Sequence, residues 1–393
     1  MNFKVKTHNA IADTGLTRLK DGNFSVSDSE KDPDAIILRS YKLPVEELND
    51  SLKAVARAGA GYNNVPVEEC SEKGVVVFNT PGANANAVKE IVLAGLLMSS
   101  RGIYAGANFV NKIDGVDSAD LKAHIESGKK DFKGRELKGA MLGVVGMGAI
   151  GAQVAGMGVF LDMEVIGYDP AITVEAAWKL PNNVKRTDNL KNILANSDYV
   201  TLHVPAVEAT RNLIDKSMLE ACKPGLKLIN FARDEIVDSS AVIGALESGQ
   251  LGAYVTDFAD LTLIERAKKF GDVIILPHIG ASTKQAEENC SVMAADQLKD
   301  YLENGNIKNS VNFPELIEER QSDFRLTLSN KNVAGMIGQI TTILAENSIN
   351  IVEMINKSRD EIAYNVIDLE SEPSKKVIAD LEALENVINV RAI

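Results

Sequence analysis

A glycine-rich turn between an apolar strand and a helix constrains this 393-residue chain more than any other feature. Residues 141–145 are short, apolar and β-branched, which is typical of a buried strand in a parallel sheet. They lead into Gly146-x-Gly148-x-x-Gly151, and residues 149–160 then carry apolar side chains at helical spacing. These glycines permit a tight turn, close approach of the backbone to a pyrophosphate, and close packing of the helix on the strand. The pattern predicts a dinucleotide-binding unit, with a structural turn that binds nothing as the alternative.

An acidic residue after the next strand indicates which dinucleotide is bound. Residues 163–168 form a second apolar segment, which is followed by Asp169-Pro170. A carboxylate about 20 residues beyond the glycine motif is placed to accept hydrogen bonds from the adenosine ribose hydroxyls. Because its charge would repel a 2′-phosphate, we expect NAD rather than NADP.

Composition and charge exclude several classes of protein. The hydrophobic content of 45% and the charged content of 25% describe a soluble globular chain, and its length suggests two or three domains. The longest apolar stretch, near residues 91–98, is too short for a membrane span, and the N-terminus lacks the apolar core of a signal peptide. Three cysteines without metal-like spacing predict reduced thiols in a cytoplasmic protein and no metal site. A net charge of −13 argues against nucleic acid as a partner, and an anionic substrate would need local arginines.

Apolar strands in the first 80 residues end in polar or glycine-rich segments. Residues 35–38 are followed by Arg39-Ser40, and residues 52–56 by Arg57-Ala58-Gly59. In open α/β sheets, ligands bind beyond the carboxyl ends of the strands. Arg39 and Arg57 are therefore candidate clamps for a carboxylate or a phosphate, with ordinary surface charges as the alternative.

The strands after residue 198 show the same pattern. A long apolar helix is predicted over residues 84–101, and four later strands each end in a polar side chain, namely His203, Arg233, Asp257 and His278. Because the carboxyl ends of parallel strands meet at one edge of a sheet, we expect these side chains to converge on an active site.

The last 70 or so residues change in pattern. A helix over 286–303 and a polar connection over 305–314 precede segments in the order βαββαβ. This order predicts a ferredoxin-like unit that senses a ligand or mediates oligomerisation.

Taken together, these motifs resemble the D-2-hydroxyacid dehydrogenase family, in the short form with a C-terminal ACT domain. The resemblance covers essentially the whole chain. It rests on the glycine motif and on RAGAG at 57–61, NTPG at 79–82, HVP at 203–205, NFAR at 230–233 and PHIGAST at 277–283. The arginines on the substrate side and the ACT domain favour the members that oxidise D-3-phosphoglycerate.

The resemblance implies an α/β fold with two Rossmann-like lobes, a flavodoxin-like substrate domain and an NAD-binding domain, plus a C-terminal ferredoxin-like βαββαβ ACT domain. The expected domains are a discontinuous substrate domain (1–88 and 281–313), an NAD-binding domain (89–280) and a regulatory domain (321–393). Family members are usually homodimers through the NAD-binding domain, and pairing of ACT domains can extend these to homotetramers.

The resemblance also implies roles for individual residues. His278 is the expected acid–base, Arg233 binds the substrate carboxylate and polarises the C2 oxygen, and Asp257 holds the nicotinamide amide. The expected cofactor-binding residues are Gly146, Gly148, Ala149, Ile150, Gly151, Asp169, Pro170, His203, Val204, Pro205, Thr210, Ala232, Arg233, Asp257, Gly280 and Ala281. The expected substrate-binding residues are Arg39, Ser40, Arg57, Ala58, Gly59 and Arg135, the last acting in its own chain or from a neighbouring subunit.

Two positions depart from the family pattern. Asp234 follows Arg233 where the family has glycine. The glutamate that pairs with the family histidine has no counterpart, because Thr262 stands in its place. We expect a neighbouring acid, Asp260 ahead of Glu265, to act as the catalytic partner of His278.

Two asparagines in the C-terminal domain suggest regulation. Asn332 and Asn350 match asparagines that bind L-serine across a paired ACT interface in the family, although Ala334 replaces the usual proline. An ACT domain used only for assembly is the alternative. For the whole chain, the alternatives are another D-2-hydroxyacid dehydrogenase, acting on glycerate or hydroxypyruvate, and a non-catalytic NAD-sensing protein.

Overall fold

The computed structural model describes residues 2–20, 22–178 and 180–393. They pack as two compact units: one ends at Asn84 and resumes at Lys284, and the other runs from Ala85 to Thr283. The three predicted domains stay a prediction, because the predicted regulatory domain packs within the first of these units.

The N-terminal part of the first unit is a parallel sheet of five strands in the order β2-β1-β3-β4-β5. Its strand β3 is buried along its whole length, as expected for a strand covered on both faces. The elements are β1 (Phe3–Thr7), α1 (Asp13–Lys20), β2 (Phe24–Ser27), β3 (Ala35–Leu38), a 3-10 turn (Val45–Glu47), β4 (Ala54–Arg57), α2 (Val67–Glu72) and β5 (Val76–Phe78).

The second unit is a parallel sheet of seven strands in the order β12-β11-β10-β9-β6-β7-β8. Its elements are α3 (Ala85–Ser100), α4 (Ile103–Asn111), α5 (Leu121–Gly128), β6 (Met141–Val145), α6 (Ala149–Phe160), β7 (Glu164–Tyr168), α7 (Val174–Ala177), β8 (Lys185–Arg186), α8 (Leu190–Asn196), β9 (Tyr199–Leu202), α9 (Lys216–Glu220), β10 (Leu226–Asn230), α10 (Ser239–Glu247), β11 (Leu251–Thr256), α11 (Leu261–Phe270) and β12 (Val273–Ile275). Further 3-10 turns lie at Lys129–Phe132, Glu208–Thr210 and Asp234–Ile236. The strand order reverses between β6 and β9, which is the position where such sheets bind ligands.

This arrangement confirms the predicted Rossmann fold. The predicted strand 141–145 and helix 149–160 are β6 and α6. The polar segment 108–136 contains the end of α4, all of α5 and the 3-10 turn at Lys129–Phe132.

The chain then returns to the first unit through a long helix and ends in an antiparallel sheet in the order β14-β15-β13-β16. The elements are α12 (Lys284–Asn304), β13 (Phe324–Lys331), α13 (Met336–Glu346), β14 (Ile351–Arg359), β15 (Ile362–Leu369), α14 (Lys375–Glu382) and β16 (Val387–Ala392). The order βαββαβ and the strand arrangement confirm the predicted ferredoxin-like fold.

The two central strands of the C-terminal sheet, β13 and β15, are buried on both faces. Leu328 and Ile367 on one face form a core with helices α13 and α14. Tyr364 and Val366 alternate with them and join the core of the N-terminal sheet, where Phe313 lies against Tyr364. Because strand side chains alternate between faces, one strand connects the two cores.

Two further observations concern the chain as a whole. Cys70, Cys222 and Cys290 are buried and form no disulfide. Within the described ranges, no helix combines the length and apolarity needed to cross a membrane.

Candidate active site

The glycine-rich turn leaves room for a ligand in front of α6. Gly146 has φ +89°, and a Cβ there would lie 2.5 Å from the carbonyl oxygen of His203. A Cβ at Gly151 would lie 1.8 Å from the Gly146 oxygen, so these two glycines are required by packing within the turn. A Cβ at Gly148 would meet no atom within 4 Å. The open space at Gly148 fits a pyrophosphate, as do the N–H groups of the first helical turn, which have no partner among the described residues.

Asp169 is held at the position expected for ribose recognition. Its Oδ2 accepts a hydrogen bond from the Met147 N–H at 2.8 Å, and its Oδ1 accepts one from Ala171 at 2.9 Å. The carboxylate therefore lies beside the glycine turn, and each oxygen keeps a second lone pair for a hydroxyl donor. The residues of this half of the unit fit NAD.

His203 lies half-buried at the end of β9, with its ring Nδ1 out of contact with solvent. Its Nε2 lies 3.0 Å from Thr201 Oγ1, and its buried Nδ1 has no partner among the described residues. Burial lowers the pKa of His203 to about 3. In the same loop, Thr210 Oγ1 donates to the Pro205 oxygen at 2.6 Å. A neutral imidazole there can line a cofactor pocket but cannot supply a proton near neutral pH.

Arg233 follows β10, and a buried asparagine fixes the turn that carries it. Asn230 Nδ2 donates to the Arg233 oxygen at 2.8 Å, and Asn230 Oδ1 accepts from the Ala232 N–H at 3.1 Å. The Arg233 Nη1 donates to the Ala232 oxygen at 2.6 Å. Asn230 belongs to the NFAR motif at 230–233, but the sequence pattern assigns it no role. Its full burial at the start of a functional turn is a signal that only the structure provides.

Asp257 is a buried carboxylate at the end of β11. Its Oδ2 accepts from the Gly280 N–H at 2.8 Å, whereas its buried Oδ1 has no partner in the described parts of the chain. Burial raises the pKa of Asp257, and the Gly280 hydrogen bond together with the charges of His278 and Arg233 opposes that rise. A Cβ at Gly280 would lie 3.0 Å from Oδ2, so a larger residue here would displace the Asp257 carboxylate. The unpartnered oxygen could accept a hydrogen bond from an amide.

His278 is exposed at the next strand end and has an unusual backbone. Its φ is +48°, in the left-handed region that non-glycine residues rarely adopt. Its N–H donates to the Asp257 oxygen at 3.0 Å, and its ring meets Phe258 edge-on at 5.1 Å. Among the described residues, no side chain hydrogen-bonds the ring nitrogens. Strain of this kind clusters at functional sites, because the surrounding structure must hold it.

The structure does not bring the expected acid partner to His278. Asp260 begins α11, and its Oδ1 accepts from the Leu263 N–H at 2.8 Å as an N-terminal cap. Burial opposes ionisation of this carboxyl, but the bonds from Leu263, Ser239 and Thr262 outweigh it and lower its pKa. Glu265 is exposed on α11. The buried carboxylate whose charge acts on His278 is that of Asp257.

Asp234, which stands where the family has glycine, lies beside the carboxyl group of Glu235. Its carboxyl hydrogen-bonds that of Glu235, which raises the pKa of Glu235. Both line a cavity of about 210 Å³ together with Tyr254 and Asp260. Across the described residues, no cluster of histidine, cysteine, aspartate and glutamate has an arrangement that could hold a metal ion.

The first unit presents two arginines at the ends of adjacent strands. Arg57 Nε donates to the Arg39 oxygen at 3.1 Å, which ties the end of β4 to the end of β3. A Cβ at Gly59 would lie 1.8 Å from Arg57 Nη1, so the guanidinium lies over the glycine. Ser40 is exposed and Ala58 is buried beside them. The expected substrate residues of this unit therefore form one cluster.

Arg135, an expected substrate-binding residue, forms an ion pair within the second unit. Its Nη1 lies 3.0 Å from Asp198 Oδ1, and Asp198 also accepts from the Met141 N–H at 2.9 Å. Met141 begins β6 and Asp198 precedes β9, so Arg135 lies at the amino ends of these strands, opposite the glycine turn. The reason is connectivity, since the segment before β6 must enter the sheet at that end.

The two predicted effector asparagines lie at opposite ends of the C-terminal sheet. Asn332 follows Lys331, which pairs with Ile362, whereas Asn350 precedes Ile351, which pairs with Leu369. At about 3.4 Å per residue, the two ends of β15 lie roughly 24 Å apart. One copy of the chain cannot place both asparagines on one small ligand.

Two further asparagines line a cavity of about 320 Å³ beside the loop 332–338, and a third hydrogen-bonds to both of them. Asn356 Nδ2 donates to Asn365 Oδ1 at 2.8 Å, and Asn365 Nδ2 donates to Asn330 Oδ1 at 2.8 Å. Asn330 and Asn356 line the cavity, and Asn365 joins them beneath it. Sequence reasoning missed this network, because asparagines in a strand pattern are typical of an exposed face.

Comparison with known proteins places the chain in a family. Residues 95–280 match the model of the NAD-binding domain of D-isomer specific 2-hydroxyacid dehydrogenases. The chain is 31% identical over 376 residues to D-3-phosphoglycerate dehydrogenase of Haemophilus influenzae, with 92% of this chain and 87% of that protein covered. It is 30% identical over 382 residues to the Escherichia coli K12 enzyme of the same name, with 94% and 88% covered.

Other matches differ in length or show the fold alone. The D-3-phosphoglycerate dehydrogenase of Methanocaldococcus jannaschii is 32% identical over 365 residues, and the chain spans 64% of its length. A solved NAD⁺-bound 3-phosphoglycerate dehydrogenase of Entamoeba histolytica superposes with a TM-score of 0.64 at 26% identity, covering 80% of this chain and all of that one. A D-mandelate dehydrogenase of Rhodotorula graminis, at 24% identity and a TM-score of 0.68, shares the fold over 81% of this chain and 99% of that one. The chain therefore belongs to the D-isomer specific 2-hydroxyacid dehydrogenase family, among the D-3-phosphoglycerate dehydrogenases, and its cofactor is NAD.

Proposed function

We propose that the chain oxidises D-3-phosphoglycerate to 3-phosphohydroxypyruvate with NAD, and that it catalyses the reverse reduction. The observation that carries the substrate assignment is the pair Arg39 and Arg57, joined by the Arg57 Nε bond to the Arg39 oxygen. In a chain with net charge −13, two adjacent guanidinium groups provide the local positive potential that a phosphate needs. The similarity to D-3-phosphoglycerate dehydrogenases supports the same substrate.

The second unit supplies the groups for the reaction. NAD, when bound, accepts hydride from the substrate carbon. The turn at Gly146–Gly151, Asp169 and the loop 203–205 would hold it, and Asp257 Oδ1 would accept a hydrogen bond from its amide. Arg233 binds the substrate carboxylate and polarises the C2 oxygen, because its planar fork matches a carboxylate. His278 takes the hydroxyl proton, because imidazole is the side chain that most often serves as a general base.

Steady-state kinetics test this assignment. The assay follows NADH oxidation with 3-phosphohydroxypyruvate and with hydroxypyruvate, and we expect strong preference for the phosphorylated substrate. His278→Asn should lower kcat by about 10²–10⁴-fold while NADH still binds. Arg39→Met and Arg57→Met should raise KM for the phosphorylated substrate far more than they lower kcat. Preference for hydroxypyruvate would point to the glycerate-type alternative, and NADH binding without reduction of either would point to an NAD-sensing protein.

We further propose that L-serine binds where two C-terminal domains pair. This proposal is supported by the positions of Asn332 and Asn350 at opposite ends of β15. Asn332 of one chain can approach Asn350 only if the latter belongs to a second chain. Strand β14 is an edge strand of the sheet and could pair with its counterpart. Isothermal titration with L-serine should give binding that Asn332→Ala and Asn350→Ala each abolish. If neither substitution changes the affinity for L-serine, Asn332 and Asn350 are not part of the serine site.

We also propose a homodimer through α4 and α5, extended to a tetramer by the C-terminal domains. Neither helix has a buried residue, and Ile103, Tyr104 and Val110 are 44–54% exposed. Light scattering should report a mass above that of the 42.4 kDa chain, and Tyr104→Asp should lower it. Three buried thiols without a disulfide are compatible with the cytoplasm as its compartment.

A further inference from the structure

An acidic side chain engages one of the two arginines proposed to bind the phosphate. Glu287 lies in the first turn of α12, and its Oε1 is 2.7 Å from Arg39 Nη1. The two side chains are 43% and 31% exposed, so the pair faces solvent. Because Arg57 is tied to the Arg39 backbone, two positive charges and one negative charge share this site.

A neighbouring thiol supports this placement of α12. Cys290 lies one turn beyond Glu287 on the same helix. Burial raises the pKa of Cys290, the nearby Thr80 hydroxyl and the charges of Arg57 and Arg39 lower it, and the charge of Glu287 raises it. The first two turns of α12 therefore face the strand ends that carry both arginines.

The charge of Glu287 acts unequally on different ligands. Coulomb energy is proportional to the charge of the ligand. A phosphate monoester carries about −1.5 to −2 at pH 7, so Glu287 repels it more strongly than a carboxylate, and it does not repel a neutral hydroxyl group. The ion pair also takes one Nη group of Arg39 that could otherwise donate to the ligand.

We propose that Glu287 is a specificity-determining residue, whose carboxylate restrains the affinity of the arginine pair for phosphate. This inference rests on the proposed function, in which Arg39 and Arg57 bind the substrate phosphate. Through this charge, Glu287 lowers the advantage of phosphorylated over unphosphorylated substrates.

The test is the substitution Glu287→Gln, which removes the charge and keeps an oxygen that accepts from Arg39. We expect KM for 3-phosphohydroxypyruvate to fall by roughly threefold or more at low ionic strength, with kcat within about twofold. KM for hydroxypyruvate should not change. The difference in KM for 3-phosphohydroxypyruvate between Glu287→Gln and the wild type should shrink at high salt, because salt screens exposed charges.

The adjacent residue provides a matched control. Glu288→Gln removes the same charge from the same helix, but Glu288 pairs with Lys284 at 3.8 Å rather than with an arginine of the site. It should leave both KM values unchanged. As a readout independent of activity, inorganic phosphate should raise the Tm of Glu287→Gln at lower concentrations than it does for the wild type.

The outcomes separate this inference from the proposed function. A rise in KM for the phosphorylated substrate in Glu287→Gln would mean that Glu287 serves to orient Arg39, and it would overturn the inference. An equal fall for both substrates, or the same fall in Glu288→Gln, would assign the effect to net charge and overturn it as well. If the wild type does not reduce 3-phosphohydroxypyruvate but the phosphate-dependent Tm values differ as expected, the proposed function fails and the role of Glu287 stands.

Discussion

Arg325 and Asp368 form a buried, two-pronged ion pair across strands β13 and β15. Arg325 Nε donates to Asp368 Oδ1 at 2.6 Å and Nη2 to Oδ2 at 2.9 Å, and both side chains are at most 1% exposed. The remaining Arg325 donors bond the backbone oxygens of Asn304, Glu318 and Glu319. The pair thus fastens the C-terminal sheet to the end of α12 and to the connecting segment.

Removing one partner of this pair should be strongly destabilising. Asp368→Asn leaves a buried guanidinium without its counter-charge, and we expect a loss of about 3–5 kcal/mol in the free energy of unfolding. Urea unfolding of the full chain measures this loss in the free energy of unfolding. Asp188→Asn, which breaks the exposed pair with Arg186, should change stability little. A similar small effect at both sites would contradict the role given to Arg325 and Asp368.

His203 should remain neutral through the whole range in which the enzyme is folded. Its pKa is lowered to about 3 from 6.5, so the stability that comes from burying it neutral is fully present above pH 6.5. That stability is lost progressively as the pH falls from 6.5 towards 3. NMR of the four histidines should show ring shifts of His203 that stay constant down to pH 5. Titration of His203 near pH 6.5 would show that its ring is hydrated.

Glu47 should add to the loss of stability in acid. It accepts hydrogen bonds from Tyr41 at 2.6 Å and Lys6 at 2.8 Å, and lies 2.9 Å from His8 Nε2. Burial favours its neutral form, but these partners outweigh it and lower the pKa of Glu47 from 4.5 to about 2. Its contribution is therefore complete above pH 4.5 and lost as the pH falls towards 2. Glu47→Gln should flatten the pH dependence of Tm between pH 4.5 and 2, and an unchanged slope would count against this assignment.

Gly59 should be required for the position of Arg57. Gly59→Ala places a methyl group on the Arg57 guanidinium, which can move because it ends a flexible side chain. We expect KM for 3-phosphohydroxypyruvate to rise by about tenfold, with little change in kcat or in fold. Gly244→Ala in α10 is the matched control, because its Cβ would meet no atom within 4 Å. An unchanged KM in Gly59→Ala would show that the position of the Arg57 guanidinium over Gly59 does not set the affinity for the phosphate.

Asp169 should set the preference for NAD. Asp169→Asn keeps an oxygen for the Met147 N–H but removes the charge that would repel a 2′-phosphate. The ratio of kcat/KM with NADH to that with NADPH should fall by about tenfold or more. The melting temperature should fall slightly, because the amide cannot accept from the Ala171 N–H as well. A constant ratio would show that other residues exclude the 2′-phosphate.

The sequence alone determined the features that depend on local pattern. Strand β6, the glycine turn and α6 follow from apolar runs and glycine spacing, because neighbouring residues along the chain impose these conformations. The βαββαβ order of the last domain follows in the same way. The positions of Arg233, Asp257 and His278 at strand ends could also be predicted, because parallel strands place their carboxyl ends at one edge.

Only the tertiary structure decided which side chains meet. Asp260 stands near the expected position in the chain, yet its carboxylate caps α11, because the free N–H groups of that helix are its nearest donors. Arg135 enters at the amino end of the sheet and pairs with Asp198. Glu287 reaches Arg39 although some 250 residues separate them, since α12 returns to the first unit. Contacts between distant segments depend on how whole elements pack, and no local pattern in the sequence records that packing.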